Sequence, residues 1–308
     1  MESDIVFEAK NLSKKYKDCT ALNQVSFSIK KGDVLGLIGE NGAGKTTLMK
    51  IIAGSIKASN GKISIMGVSN RYIQNMRKEM GVIIESPAYY GDMTGYENME
   101  YIRLAKNIQN KSAVEDILKL VDLYDVRFRK VNKYSLGMRQ RLGIGMALIG
   151  NPQFLILDEP TNGLDPNGIV DIRNLIERLN KEQGITILIS SHILTELYQV
   201  STRYGILHKG NLLALHTAQE LQEKCKKVVV IVHEDNPSNI LCFLKKYDIM
   251  ANSINQNTIY FDYIDNLPHN FLSLLFDEKF KIMEYYIKQE TLEDYFLRLT
   301  KRGENIHC

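Results

Sequence analysis

The chain has 308 residues, 44% hydrophobic and 24% charged, with a net charge of +3. That length allows one large domain or two moderate ones with a substantial core, and the composition excludes wholesale disorder. A near-neutral balance without a basic stripe argues against a nucleic-acid partner, and pairs such as Lys14-Lys15 and Lys226-Lys227 read as solvated surface.

The amino terminus, Met1-Glu2-Ser3-Asp4, lacks the basic and apolar blocks of a signal peptide. Ile5 to Ala9 alternates loosely and Val25, Phe27 and Ile29 alternate strictly with polar neighbours, which predicts two opening strands. Tyr16 falls in the polar connection between them, where an aromatic either stacks on a purine or packs on a strand edge. A buried strand, Val34 to Ile38, then leads into Gly39-Glu40-Asn41-Gly42-Ala43-Gly44-Lys45-Thr46-Thr47, and a helix follows with Leu48, Ile51 and Ile52 on one face. This is the phosphate-loop pattern G-x-x-x-x-G-K-[ST] in its required context. Gly39, Gly42 and Gly44 let the backbone, with Asn41 and Thr47, bring N–H groups toward one anion. Lys45 would reach the β- and γ-phosphates, and the Thr46 hydroxyl would ligate Mg²⁺.

Strands are expected at Gly61 to Gly67 and at Gly81 to Glu85, the second stopped by Ser86-Pro87. From Thr94 to about Gly150 the pattern is helical, over Tyr96 to Ile108, Ser112 to Leu123 and Met138 to Ile149, with Ser112 and Glu115 spaced as a capping box. Strands resume at Phe154 to Asp158 and Ile185 to Ile189, around a helix from Ile169 to Leu179. Alternating strands and helices imply a mostly parallel sheet, with Gly39, Asp158 and Ser190 at the carboxyl ends of its strands, where ligands bind.

Near residue 217 the composition changes: positions 217–308 hold 11 Lys and Arg against 14 Asp and Glu, with 12 of the 26 aromatics. A second core is therefore expected there, with 1–216 forming the first domain and about 86–150 its helical subdomain. The tail reads as a helix (Ala218 to Lys224), strand (Lys227 to Val232), helix (Asn239 to Tyr247), hairpin at 255–257, helix (Pro268 to Phe276), strand (Phe280 to Ile287) and final helix (Leu292 to Leu299). That order resembles a ferredoxin-like split βαβ unit.

The four cysteines, Cys19, Cys225, Cys242 and Cys308, lack C-x-x-C spacing and read as reduced thiols of a cytosolic protein. No apolar run approaches the ~20 residues that span a bilayer, so work at a membrane requires another chain to cross it.

Asp158, ending an apolar strand, stands where a carboxylate holds Mg²⁺, and the adjacent Glu159 is placed to orient and deprotonate a water. His192, after another buried strand, either donates toward a γ-phosphate or is a surface residue. With Tyr134-Ser135-Leu136-Gly137-Met138-Arg139-Gln140-Arg141 and Gly163-Leu164-Asp165, these segments make residues 5 to 216 resemble the ATP-binding subunit of an ATP-binding-cassette (ABC) transporter. The resemblance implies an α/β P-loop NTPase fold of RecA-like type, ATP and Mg²⁺ as ligands, and ATP hydrolysis. It also implies roles: Tyr16 on adenine, Lys45, Thr46 and Asp158 on phosphate and metal, Glu159 as general base, His192 as switch. Ser135 and Gly137 would contact the γ-phosphate held by a second copy, and Asp165 would couple the two sites. Permease subunits on separate chains are the implied partners, with the cassette peripheral on the inner face of the membrane.

Leu136 and Met138 depart from the family's Leu-Ser-Gly-Gly-Gln signature, and Glu85 stands where most cassettes have a glutamine touching Mg²⁺ or water. Ile84 to Tyr90, the variant signature and Thr291 to Thr300 resemble the branch of bacitracin-type and lantibiotic self-protection exporters. Its rivals are a non-transport cassette ATPase, an exporter of drug, lipid or polysaccharide, and a P-loop GTPase or kinase. The last is disfavoured because no Asn-Lys-x-Asp guanine motif occurs.

Overall fold

The computed structural model describes residues 4–304 except 18, 70–71, 226, 265–266 and 268–270. Cys308, Lys226 and the expected helix start at Pro268 lie outside the described residues. Two compact units divide the chain, Met1–Ala218 and Gln219–Cys308.

In chain order the first unit contains β1 (Ile5–Tyr16), β2 (Cys19–Lys30), β3 (Val34–Ile38), α1 (Lys45–Ala53), β4 (Asn60–Ile65), α2 (Ile73–Arg77) and β5 (Met80–Ile83). Then follow α3 (Gly95–Ala105), α4 (Ser112–Leu120), α5 (Leu136–Leu148), β6 (Phe154–Asp158), α6 (Pro166–Lys181), β7 (Thr186–Ser191), α7 (Leu194–Tyr198), β8 (Arg203–His208) and β9 (Asn211–Thr217). Six strands form one sheet in the order β5-β6-β7-β3-β8-β9, parallel from β5 to β8, with β9 antiparallel at the edge. Every residue of β3, β6 and β7 is buried, which follows from continuous apolar runs covered on both faces. β2, β1 and β4 form a separate antiparallel sheet. Phe7 and Phe27 of that sheet, Leu48 and Ile52 of α1 and Phe154 of β6 share one core, with the Phe7 and Phe154 ring centroids 6.4 Å apart.

Between β5 and β6 the chain is helical, as its periodicity predicts, but the capping box lies elsewhere. Thr94 accepts from the Glu97 N–H (3.1 Å) and its own N–H donates to the Glu97 carboxylate (2.7 Å) at the start of α3. The Ser112 and Glu115 spacing does not make one, because Lys111 is already helical and Ser112 turns its hydroxyl to Asn110 and Asp116 instead. Tyr16 is the last residue of β1 and not part of a loop. The strand expected to reach Glu85 stops at Ile83; Glu85 itself has φ +67°, at the centre of a turn closed by Ser86 N–H on Ile84 O (3.0 Å).

The second unit contains α8 (Ala218–Lys224), β10 (Lys227–His233), α9 (Pro237–Lys245), β11 (Ala251–Asn255), β12 (Thr258–Asp262), α10 (Phe271–Asp277), β13 (Ile282–Gln289) and α11 (Leu292–Glu304). Its antiparallel sheet has the order β11-β12-β10-β13. Taking β10 as the first strand, this is the arrangement of a split βαβ unit, the two central strands being the first and third. Val229, Ile231, Ile259 and Phe261 of the sheet pack with Ile240, Phe243 and Leu244 of α9 and Phe271 and Leu275 of α10.

Gly143 in α5 is closed over by Pro87, whose Cβ would lie 2.4 Å from a Cβ built on the glycine. Pyrrolidine atoms cannot swing aside, so Gly143→Ala is expected to destabilise by about 1–3 kcal/mol through overpacking, measured as a lowered thermal or urea midpoint.

Candidate active site

The phosphate loop follows β3, with Gly39 buried at its exit and Gly42 and Gly44 at φ +82° and +109°. Gly44 is the N-cap of α1 and offers no side-chain acceptor, which leaves the first N–H groups of the helix for an external anion. A side chain at Gly44 would bring a Cβ within 2.5 Å of Ala21 O, in a backbone region L residues avoid. Lys45 is 5% exposed; its ammonium donates to Gly39 O (2.6 Å) and Glu40 O (3.3 Å) and stands 3.2 Å from Glu159 Oε1. Residues 19–21 and 40–47, with Glu159 and Lys209, line a cavity of about 410 Å³.

Asp158, at the end of β6, is 2% exposed and would be costly there without donors. Two hydroxyls supply them: Thr46 Oγ1 donates to Oδ2 (2.8 Å) and Ser190 Oγ to Oδ1 (2.6 Å). Ser190 also accepts from the Glu159 N–H (2.9 Å), so one hydroxyl fixes both acids. Glu159 has φ +49° and presents its two oxygens to different partners, Oε1 to Lys45 and Oε2 to His192 Nδ1 (2.7 Å). Below the histidine, Glu196 of α7 accepts from Thr161 Oγ1 (2.5 Å) and Ser191 Oγ (3.4 Å), tying the segment after Glu159 to the segment carrying His192.

Sequence-predicted residues are therefore brought together in one set: Asn41, Gly42, Gly44, Lys45, Thr46, Thr47, Asp158, Glu159 and His192, with Gly39 beneath the loop. Tyr16, Glu85, Ser135, Gly137 and Asp165 lie outside the lining of that cavity. Tyr16 is 46% exposed, with Lys14 Nζ 4.8 Å from its ring centre. Ser135 caps α5 by accepting from Met138 N–H (3.2 Å), and Asp165 caps α6 by accepting from Gly168 N–H (3.2 Å). A Cβ built on Gly137 would meet Leu164 and Gly168 at van der Waals distance, so the starts of α5 and α6 lie near each other. The charge added by Glu85 is met by Lys50, whose Nζ is 2.5 Å from Glu85 Oε1. That hydrogen bond raises the Lys50 pKa above the ordinary lysine value. Sequence reading missed Lys50, Glu196 and Lys209. Lys50 and Glu196 meet their partners Glu85 and Thr161 across 35 residues of chain each, contacts that local spacing does not show.

The region 22–162 matches the model of the ABC transporter family. The bacitracin transport ATP-binding protein BcrA of Bacillus licheniformis is 35% identical over 302 residues, covering 97% of this chain and 98% of that protein. The chain belongs to the ABC transporter ATP-binding family. A lantibiotic transport ATP-binding protein, SrtF of Streptococcus pyogenes, is 41% identical over 208 residues, 68% of this chain and 89% of its own. Among solved structures, the ATP-binding cassette MJ0796, a dimer in a post-hydrolysis state with ADP and Pi, superposes with a TM-score of 0.63 at 25% identity, covering 69% of this chain and 98% of that one.

As a member of that family the chain is an ATPase acting on ATP with Mg²⁺. The donor set fits that ion: Mg²⁺ takes oxygen ligands, usually one or two from protein besides substrate phosphates, and Thr46 Oγ1 and Asp158 Oδ2 are adjacent oxygens facing the loop. Among the described residues no helix is long and apolar enough to cross a membrane.

Ser190→Ala removes a donor from buried Asp158 and an acceptor from Glu159 N–H. It is expected to cost about 1–3 kcal/mol of stability in chemical denaturation, without change in the far-UV circular dichroism of the folded protein.

Proposed function

We propose that this cassette powers export of a bacitracin- or lantibiotic-type peptide through permease subunits on separate chains, docked at the cytoplasmic face of the membrane. The observation that carries this reading is similarity to a bacitracin transport ATP-binding protein along 97% of the chain, the second unit included.

Within the site, Lys45 and the N–H groups at the start of α1 bind the β- and γ-phosphates of ATP. Thr46 and Asp158 would hold Mg²⁺, which neutralises charge developing on the phosphate oxygens. Glu159 accepts the proton of the attacking water, and the Lys45 ammonium, 3.2 Å away, holds one of its carboxylate oxygens toward the loop. His192 holds the other Glu159 oxygen and serves as a donor to the transferred phosphate. Tyr16 supplies an exposed aromatic face for adenine, and Ser135, Gly137 and Asp165, gathered at the starts of α5 and α6, serve the site of a second copy. ATP is thereby enclosed between two cassettes, and its hydrolysis separates them. Contacts that exist only in the closed pair give ATP its power to close it.

Glu159→Gln is expected to reduce ATP hydrolysis by about 10²–10⁴-fold, as loss of a positioned base does. With ATP, the same variant should elute as a dimer in size-exclusion chromatography; a monomer under all nucleotide conditions would refute the enclosed-ATP reading. For the cargo, expression with the permease should raise cellular tolerance to a bacitracin-type peptide, and Lys45→Ala should abolish that gain. No gain with wild-type protein would remove the peptide assignment while leaving the ATPase intact.

A further inference from the structure

Glu85 and Lys50 lie apart in sequence, yet their side chains make a single close contact of 2.5 Å at the edge of the active site. Lys50 belongs to α1, one turn beyond Thr46, so it flanks the hydroxyl that meets Asp158. The Lys50 ammonium is stabilised chiefly by the Glu85 hydrogen bond, with smaller contributions from the fields of Glu85, Tyr16 and Asp158. Glu85 occupies a left-handed conformation at the centre of the 84–86 turn, a backbone state that surrounding contacts have to maintain for a residue with a side chain. One residue beyond the turn, Pro87 rests against Gly143 of α5, the helix that begins just after Ser135. A short segment thus has one end fastened to the phosphate-loop helix by an ion pair and the other seated on α5.

We propose that Lys50 is a positioning residue for the ATPase reaction: by holding the Glu85 carboxylate against α1 it fixes the 84–87 segment, and through Pro87 it sets the stance of α5 relative to the phosphate loop. An exposed ion pair contributes little to global stability, so its effect is on placement. Without Lys50 the carboxylate lacks its counter-charge next to Asp158 and the turn loses its outer tether. The positional part stands on the geometry alone; only the kinetic part rests on the ATPase reading.

Full-length Lys50→Met, Lys50→Arg, Glu85→Gln and the Lys50→Met/Glu85→Gln double variant test it, by amide hydrogen exchange of residues 84–90 without nucleotide and by steady-state hydrolysis of ATP. Exchange there should rise about tenfold in Lys50→Met, as expected for a weakened local tether, and the double variant should exchange no faster than the more affected single one. Lys50→Arg should remain within about twofold of wild type in exchange. In kinetics, Lys50→Met should lower kcat about tenfold with KM changed less than about twofold, the pattern of a group that matters after substrate is bound, and Lys50→Arg should recover most of it. Unchanged exchange in Lys50→Met overturns the proposal. So do independent, additive losses in the double variant, or a kcat that Arg does not restore. Wild-type protein without ATPase activity would refute the ATPase reading, while the exchange results would still decide the tether.

Discussion

A carboxylate almost wholly removed from water, that of Asp158, is the constraint around which the first unit is arranged. Burial of such a charge is tolerated only with hydrogen-bond donors at both oxygens, and these come from two other elements, Thr46 of α1 and Ser190 of β7. Their convergence requires β6 and β7 to run parallel in the register that pairs Asp158 with Ser190. It also requires β3 beside β7 to exit into the loop at the same end of the sheet. A slip of one residue would turn Ser190 to the opposite face and leave Asp158 short of a donor. Core packing of apolar strands and chemistry at their carboxyl ends are thus one requirement.

Around that acid the charges alternate. Lys45 stands between loop carbonyls and Glu159, Glu159 between Lys45 and His192, and Lys50 beside Glu85. Two of the acids, Glu85 and Glu159, take positive φ, a conformation that side-chain-bearing residues adopt at some cost. Glu159 follows directly on β6 and Glu85 stands two residues past the end of β5, so both sit just beyond the carboxyl ends of strands of the parallel sheet. Ser190 Oγ holds the backbone of Glu159 in that state, and at Glu85 the Ser86 to Ile84 hydrogen bond and the Lys50 pair do so. Strain at these positions is matched by specific fastening.

Where a residue's role depends on a local pattern, the sequence made it legible. The strand before Gly39 and the helix from Lys45 are consecutive, and Phe154 to Asp158 is an unbroken apolar run ending in the acid, so loop and carboxylate are both visible in the local pattern. Glu85 was also visible as an unusual acid, but its partner was not. Lys50 reaches it across 35 positions, and nothing in the periodicity of α1 distinguishes it from a solvated lysine. The misplaced capping box has a similar origin: Ser112 and Glu115 have the right spacing, but Lys111 before them is already helical, while Thr94 and Glu97, with the same spacing, stand where the chain enters α3 from an extended residue. Spacing identifies candidates; backbone entry angle selects among them.

The residues left outside the cavity bear on why a cassette would act in pairs. Ser135 and Asp165 each use a side-chain oxygen to cap their own helix, so both helix starts are rigid before any partner arrives. Leu136 is 47% exposed and lies beside Gly163 rather than being drawn into the core. A substitution of the family's small signature residue by leucine at an exposed helix start costs this unit nothing in packing. On the reading that a second copy meets this face, Leu136 would be buried there, adding apolar area to closure driven otherwise by contacts to ATP. The cap also constrains how phosphate is met: with Ser135 Oγ engaged by Met138 N–H, its hydroxyl hydrogen and the first N–H groups of the helix, at Leu136 and Gly137, are the donors left for a ligand, which favours one arriving along the axis of α5.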